Sequence, residues 1–445
     1  MFRLFLNKCP TSVLPESKGL ESVWLKDTTA PLKIDKGTIN DDIDLPNELT
    51  FHLKRGSGDL TLNLKKNQDI NPNADEYFVR KLKDGQSVLV KIENVEKEDV
   101  AYYQDKENEA FVTVRCAKRS NEECDRSLYG NIRIGRRSYD LRPAEIDVTS
   151  RELSDVPGFL GKPYTLQDEE YIRGYSSAEN KETIHASEKE MEEGLKVLLR
   201  RFDAHKKHGN IGPAVDTSSA RNVPASSNRW AIDKSRQLKK AYEVEVAVLV
   251  DESIWSLYSS TVGTSNPIAR VGFVKRKIKE SFSHIMNGVN LRYKTIDDPR
   301  ISIRVILCDF IFLQDNSPFT TSKDMVVDGT QYVEAKTYLL DLAVWDYKVG
   351  ANRLPLFDHG MLFTSQNLYL KSTQDPIQGL TYTGEVCNTA SKMSIVQAKD
   401  YVSTVCSAAH ELAHREISDY HISDIPSTPV LLFEEKRFIS EECAN

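Results

Sequence analysis

The sequence predicts two structured parts, an all-β domain followed by an α/β (α+β) domain with a mixed twisted sheet. Three observations support this prediction. Residues 31–150 contain short runs of alternating apolar and polar side chains, residues 151–240 are mostly polar, and residues 241–414 alternate strand-like runs with amphipathic helices. A chain of 445 residues is long enough for two or three domains. We expect an N-terminal segment at 1–30 and a divergent tail at 415–445.

The composition argues against several classes of protein. The formal net charge is −7, from 59 Lys and Arg against 66 Asp and Glu, which argues against binding of a nucleic-acid phosphate backbone. No apolar run reaches the roughly 18–20 residues that cross a bilayer, so we expect no transmembrane segment. Apolar residues make up 40% of the chain, enough for a sizeable core, and we expect a monomer.

The strands of the first domain are predicted from alternation with period two. The pattern is clearest in Leu49–Leu53 and Leu60–Leu64, which flank the turn sequence Gly56–Asp59. Further strands are predicted at Ser87–Ile92, Ala110–Arg115, Gly130–Ile134 and Arg137–Leu141.

Residues 151–240 have the composition of a partly disordered linker. Turn-forming residues dominate 209–230, and one helix is predicted near Ser187–Phe202. The dibasic pair Lys239–Lys240 ends the linker, either as solvated side chains or as a processing site for a protease.

Residues 241–414 follow the pattern of a sheet covered by helices. The run Val244–Val250, which ends at Asp251, predicts a strand, and Ile268–Asn287 predicts a helix with apolar residues at spacings of three and four. Gly288 is a suitable C-cap for that helix. The remaining predictions are strands Val289–Tyr293, Ile301–Leu307 and Gly360–Thr364, and helices Tyr332–Trp345 and Gln397–His414.

The sharpest local signal is an HExxH motif at His410–His414. Positions i and i+4 share a helix face, so His410 and His414 can ligate one metal ion. A Zn²⁺ ion lowers the pKa of a bound water to about 7, and Glu411 is adjacent to take that proton and pass it to a leaving amine. The motif alone is also compatible with an ordinary helix that carries two histidines.

Five segments of residues 242–414 resemble the reprolysin (ADAM-type) zinc metalloproteases of the metzincin clan. They correspond to the opening strand, the strand before the active site, a Gly-x-(Ala/Thr)-Tyr-x-Gly-x-x-Cys turn, the entry to the active-site helix and that helix itself: Tyr242–Asp251, Phe357–Thr364, Gly379–Cys387, Ser394–Gln397 and Ala408–His414. More weakly, residues 49–145 resemble the family's β-rich propeptide at Ala101–Gln104, Cys116 and Leu128–Ile132.

This resemblance implies a metzincin-like catalytic domain that is secreted, is made as a zymogen and hydrolyses protein or peptide substrates. It implies that His410 and His414 are zinc ligands and that Glu411 is the catalytic base. It also implies that Glu245 is a structural Ca²⁺ ligand and that Asp358 is a second one. Surface carboxylates at strand ends are the alternative for both.

The family pattern breaks directly after His414. The family's motif continues HExxHxxGxxH, but Ile417 stands at the glycine position and Tyr420 at that of the third histidine. Met393 is the last methionine, so the family's Met-turn is absent. The sources of a third ligand that stay open are His421, Tyr420 as a phenolate, and Glu434 or Glu435.

The cysteines and the two ends of the sequence carry further expectations. The seven cysteines include no CxxC pair; we expect Cys116 to pair with Cys124, and the resemblance implies a partner for Cys387, for which Cys443 is the candidate. No cysteine lies in the linker, so we expect no cysteine switch. The apolar run of Met1–Asn7 ends too early for a signal peptide, and the family pattern stops after His414. We therefore expect a sequence that is incomplete at both ends.

Two functions therefore stay open at this point. The first is a zinc-dependent metalloendopeptidase in which Glu411 acts as general base and acid. The alternative is a catalytically impaired or inactive truncated homologue that acts as a binding or decoy protein. The missing glycine, third histidine and Met-turn favour the alternative.

Overall fold

A computed structural model describes the following residues: 20–29, 45–81, 87–93, 100–118, 124–144, 162–168, 240–263, 266–296, 301–313, 324–327, 329–372, 375–382 and 392–415. The predicted helix Ser187–Phe202, nearly all of the linker and the tail lie outside these residues. Tyr420, His421, Glu434 and Glu435 lie in that tail.

Eight antiparallel strands close a barrel in the order β1-β10-β9-β8-β7-β6-β3-β2. They are β1 (Leu20–Asp27), β2 (Glu48–Lys54), β3 (Leu60–Lys66), β6 (Val100–Asp105), β7 (Ala110–Lys118), β8 (Cys124–Ile134), β9 (Arg137–Pro143) and β10 (Lys162–Asp168). Alternate side chains fill the interior, with Leu53, Leu62 and Val112 fully buried. Eight strands give a barrel just wide enough for side chains to fill.

The barrel extends beyond both ends of the first domain that the sequence predicted, residues 31–150. Strand β1 lies within the predicted segment 1–30, and β10 lies within the predicted linker 151–240. Both strands close the barrel, because β1 pairs with β10 and β2, and β10 pairs with β9. Closure satisfies the backbone groups of the edge strands, a requirement that local composition does not reveal.

A seven-stranded mixed sheet has the order β18-β19-β15-β11-β12-β4-β5, as the predicted fold class requires. Its strands are β4 (Ile70–Lys81), β5 (Ser87–Lys91), β11 (Lys240–Val250), β12 (Ile301–Phe312), β15 (His359–Thr364), β18 (Gly379–Thr381) and β19 (Met393–Gln397). The β4-β5 and β18-β19 pairs are antiparallel, and the other neighbours are parallel. Strand β4 was not predicted from the sequence, and the hairpin β4-β5 joins this sheet although it lies between two barrel strands along the chain.

Within the described ranges, four helices cover the sheet, and a small sheet with the order β13-β14-β16-β17 lies beside it. The helices are α1 (Glu252–Thr261), α2 (Pro267–Lys294), α3 (Ala335–Arg353) and α4 (Tyr401–Arg415), and the small strands are β13 (Asp324–Val327), β14 (Thr330–Glu334), β16 (Leu368–Leu370) and β17 (Asp375–Ile377). Strand β11 separates two cores: Val246 and Val248 face α2 and α4, and Ala247 and Leu249 face α3.

The prediction of a helix end at Gly288 and a strand at Val289–Tyr293 was wrong. Helix α2 continues through both to Lys294. Its apolar run reads as a strand because it is buried on every side, so the polar face that would mark a surface helix is missing.

Within the described part of the chain, none of the helices combines the length and apolar composition that a membrane span needs.

Candidate metal centre

Helix α4 carries the HExxH motif at its C-terminal end. Its first turn is capped by Asp400, whose Oδ1 accepts the backbone N–H of Ser403 at 2.8 Å. Val405 and Leu412 are fully buried against the core that this helix shares with α2. This packing fixes the direction in which the motif's side chains point.

The imidazoles of His410 and His414 face each other on the partly exposed side of α4. Their Nε2 atoms are 2.9 Å apart, and the ring planes are nearly perpendicular, at 88°. The spacing of four residues predicts this shared face, and the structure has it. Their role as metal ligands stays a prediction.

The distance between the two histidine nitrogens is close to that of two nitrogen ligands on one zinc ion. Two nitrogens that bind one Zn²⁺ at about 2.0–2.1 Å lie about 3.4 Å apart in tetrahedral geometry. The observed separation is 2.9 Å, so His410 and His414 would move apart by only about 0.5 Å. The described residues form no group of three His, Cys, Asp or Glu side chains that could hold a metal.

The carboxyl group of Glu411 is buried beside this pair. The residue is 2% exposed, and its Oε1 has no hydrogen-bond partner among the described residues. Burial raises the pKa of Glu411 to about 8, because the charged form loses its hydration. In this environment the side chain can hold a proton near neutral pH.

Strand β18 lies directly against Glu411. A Cβ atom added at Gly379 would be 2.6 Å from Oε1 of Glu411 and 2.7 Å from its Cγ. Beside this contact, the hydroxyl of Ser407 in α4 donates a hydrogen bond to Oε1 of Gln378, the residue before β18, at 2.8 Å. The sequence placed Gly379 in the turn segment Gly379–Cys387, but it gave no sign of this contact with the motif.

Helix α2 supports the motif from the other side. The buried hydroxyl of Tyr293 donates to the carbonyl oxygen of Ala409 at 3.1 Å, one residue before His410. The sequence did not point to Tyr293, because it placed that residue in a strand.

The predicted calcium ligands Glu245 and Asp358 lie side by side. Oδ2 of Asp358 accepts the backbone N–H of Glu245 at 2.9 Å, and the carbonyl of Glu245 accepts the N–H of Asp358 at 3.0 Å. Burial and then the Asp358 charge raise the pKa of Glu245. Among the described residues, they belong to no group of three His, Cys, Asp or Glu side chains that could hold a metal. Their role as calcium ligands stays a prediction.

Cys116 and Cys406 each take part in a disulfide bond, and Cys308 is free. The side chain of Cys124 lies outside the described part of the chain, so its pairing with Cys116 stays a prediction, as does the Cys387–Cys443 pair. Cys406 lies in α4, four residues before His410, and the sequence assigned it no partner.

Fold and site together define a mixed α/β protein with a candidate HExxH metal centre. No family model matches the chain, and no curated protein matches it. Among solved structures, archaemetzincin from Methanopyrus kandleri is similar, with 12% identity over 39% of this chain and 73% of that chain. Its TM-score is 0.21, which supports no argument about this chain. The resemblance to reprolysins therefore stays a prediction.

Proposed function

We propose that this protein is a zinc-dependent metalloendopeptidase that acts on protein or peptide substrates. The observation that carries the proposal is the pair of Nε2 atoms of His410 and His414, 2.9 Å apart on one helix face, with Glu411 beside them. The extracellular location and the synthesis as a zymogen that the resemblance implies belong to the same proposal.

The residues of α4 would divide the chemistry among them. His410 and His414 would hold the ion through Nε2. When bound, Zn²⁺ supplies a Lewis acid that polarises the scissile carbonyl and makes a nearby water more acidic. Glu411 would take a proton from the water as its oxygen attacks the carbonyl carbon, and would give that proton to the amine nitrogen as the C–N bond breaks.

The environment of Glu411 suits this exchange. Its carboxyl group is desolvated, which raises its pKa to about 8, and positive charge bound beside it would favour the carboxylate. The two effects act in opposite directions, so a bound cation would lower the pKa of Glu411 from the value that burial sets. A general acid and base works best when its pKa lies near the working pH.

Strand β18 offers a position for an extended peptide. It has one neighbour in its sheet, β19, among the described strands. An extended peptide can add to such an edge through backbone hydrogen bonds. Because Gly379 of β18 lies against Glu411, a peptide paired there would pass close to that side chain.

The alternative function is a binding or decoy protein without catalytic activity. The departure from the family's motif, with Ile417 at the glycine position and Tyr420 at the third-histidine position, favours it. Zinc sites in enzymes normally use three protein ligands, so a site with two would bind the ion weakly.

The substitution Glu411→Gln separates the two functions. In protein incubated with zinc, we expect it to reduce cleavage of an unfolded protein substrate by about 10²–10⁴-fold while the zinc content stays the same. Glu243→Gln is the control, since that side chain is 52% exposed on β11. If the wild-type protein cleaves the substrate and the Glu411→Gln variant cleaves it at the same rate, the proposed peptidase is contradicted.

A further inference from the structure

The part of the chain before the linker supplies two strands of the sheet that carries the candidate metal centre. Strand β4 pairs in parallel with β12, and β5 adds to its other side. The side chains of β4 enter both cores: Ile70 and Ala74 pack on the α2 side, and Val79 packs on the α3 side. Without this hairpin, β12 would become an edge strand with apolar surface exposed on both faces.

A buried ion pair joins β4 to α2. The carboxylate of Glu76 is fully buried, and the side chain of Lys279 is 2% exposed. Nζ of Lys279 donates to Oε1 of Glu76 at 2.6 Å, and Nζ of Lys275 lies 2.7 Å from Oε2. If either side were removed, a charge would stay in the core without its partner, which is strongly destabilising.

A network of buried amides joins the barrel region to the same helix. Asn67 donates through Nδ2 to Oδ1 of Asn287 at 2.9 Å, and Gln104 donates through Nε2 to the carbonyl of Asn287 at 2.8 Å. Asn290 donates through Nδ2 to Oδ2 of Asp69 at 3.1 Å. Buried amides without partners are costly, so each side of this network needs the other.

Helix α2 therefore has no face that is open to water between residues 278 and 291. Residues 278–291 are buried without interruption. The sheet and α4 cover part of this surface, and the barrel covers the rest through residues such as Phe111, whose ring is 5.0 Å from that of His284. If residues 240–415 formed a separate domain, the polar and apolar side chains of α2 that the barrel covers would be exposed to water.

These contacts lie away from the histidine pair. The ring of His284, which is hydrogen-bonded to Thr113 and Asn131 of the barrel, lies 4.8 Å from that of Tyr401 at the start of α4. His410 lies about 14 Å further along the helix axis. The contacts between the two parts can thus be tested without altering the candidate metal centre.

We propose that residues 20–168 form a structural part of the mature protein. They stay bound to residues 240–415 when the chain is cut between the two ranges. A propeptide that is released after processing would behave in the opposite way. A cut at the dibasic pair would remove only Lys240, the first residue of β11, from the sheet. The proposal does not depend on peptidase activity.

A site-specific cut in the full-length protein tests this proposal. The recognition sequence of a sequence-specific protease is inserted within 209–230, the protein is cut, and the product is examined by gel filtration. All buffers contain a reducing agent, so that no disulfide links the fragments. We expect both fragments to elute together at the volume of the uncut protein in native buffer, and to separate in concentrated guanidinium chloride. Separate elution in native buffer would overturn the proposal.

The buried ion pair provides a second test in the cut protein. Glu76→Gln keeps the size of the side chain but leaves Lys279 unpaired, so we expect the fragments to dissociate at least about tenfold faster. Asp75→Asn is the matched control on the same strand, because Asp75 is 52% exposed, and its dissociation rate should not change. Equal rates for the two variants would show that the ion pair does not hold the parts together.

Discussion

At the scale of single residues, packing rather than hydrogen bonding holds Glu411 in place. Its Oε1 has no hydrogen-bond partner among the described residues, and the backbone of Gly379 lies against its side chain. A carboxyl group held in this way is desolvated and restricted in position, and both conditions favour proton transfer at a fixed point. The absence of a side chain at residue 379 makes this arrangement possible.

The substitution Gly379→Ala tests that contact. The new Cβ would be 2.6 Å from Oε1 of Glu411, so strand and side chain would have to move apart. We expect a loss of about 1–3 kcal/mol in the free energy of unfolding and a fall in kcat on the order of 10²-fold. Gly263→Ala is the control, because no atom lies within 4 Å of its Cβ position. Equal stability of the two variants would contradict the contact.

His284 is a second buried residue with a measurable signature. Thr113 and Asn131 bond its two ring nitrogens at 3.0 and 3.1 Å, an arrangement that suits the neutral ring with the proton on Nε2. Burial, and to a smaller extent the charge of Arg142, lower the pKa of His284 to about 3. The folded protein therefore does not protonate this ring at mildly acidic pH.

This lowered pKa predicts a loss of stability in acid. Between pH 6.5 and about 3, the unfolded chain binds a proton at His284 that the folded protein does not bind. The free energy of unfolding should therefore fall with falling pH by up to roughly 1.4 kcal/mol per unit from this group. Urea unfolding at several pH values checks it: the slope should be smaller in His284→Gln, and equal slopes would contradict the lowered pKa. Glu411 contributes in the opposite direction, but equally in both proteins.

At the scale of elements, α2 packs against the sheet, α4 and the barrel at the same time. Gly288 lies in its middle, where a Cβ atom would be 2.6 Å from Val405 of α4 and 2.9 Å from Phe111 of β7. The glycine is there because two neighbours approach the helix backbone closely. A C-cap, which the sequence suggested, would have required the helix to end.

The substitutions Gly288→Ala and Gly272→Ala form a matched pair within α2. Alanine normally stabilises a helix interior by roughly 0.5–1 kcal/mol relative to glycine. We expect this gain for Gly272→Ala, since no atom lies within 4 Å of its Cβ position, and a loss of about 1–3 kcal/mol for Gly288→Ala. Denaturant unfolding measures both. A gain at both positions would show that α2 is not closely packed at residue 288.

Strands with one solvent-exposed face were predictable from alternation, whereas β11, which is mostly buried, was predictable from its apolar run. Strands β2 and β3 alternate clearly because each lines the barrel on one side. Strand β4 was missed because its Asn-Pro-Asn-Ala start resembles a turn and its side chains enter two different cores. For such segments, the pattern of burial comes from distant partners and is not visible locally.

The candidate metal centre shows the same division. Two histidines four residues apart share a helix face wherever a helix forms, so their approach was predictable from spacing. The contacts of Gly379 with Glu411 and of Tyr293 with Ala409 join residues 32 and 116 positions apart in the sequence. Nothing in the local sequence encodes them.

At the scale of the whole molecule, the chain does not divide where its composition changes. The sequence predicted two consecutive domains joined by a linker, but the hairpin β4-β5 crosses from the first region into the sheet of the second. A buried ion pair and a network of amides hold this arrangement. The candidate metal centre is therefore built on a sheet that both regions form.

The zinc content of the full-length protein, measured after dialysis against a trace of zinc, tests the metal centre most directly. We expect about one Zn²⁺ per chain in the wild-type protein and in His52→Ala, an exposed histidine of the barrel. His410→Ala and His414→Ala should each lose the ion, because one imidazole alone binds zinc weakly. A wild-type protein that holds no more zinc than these two variants would contradict the metal centre.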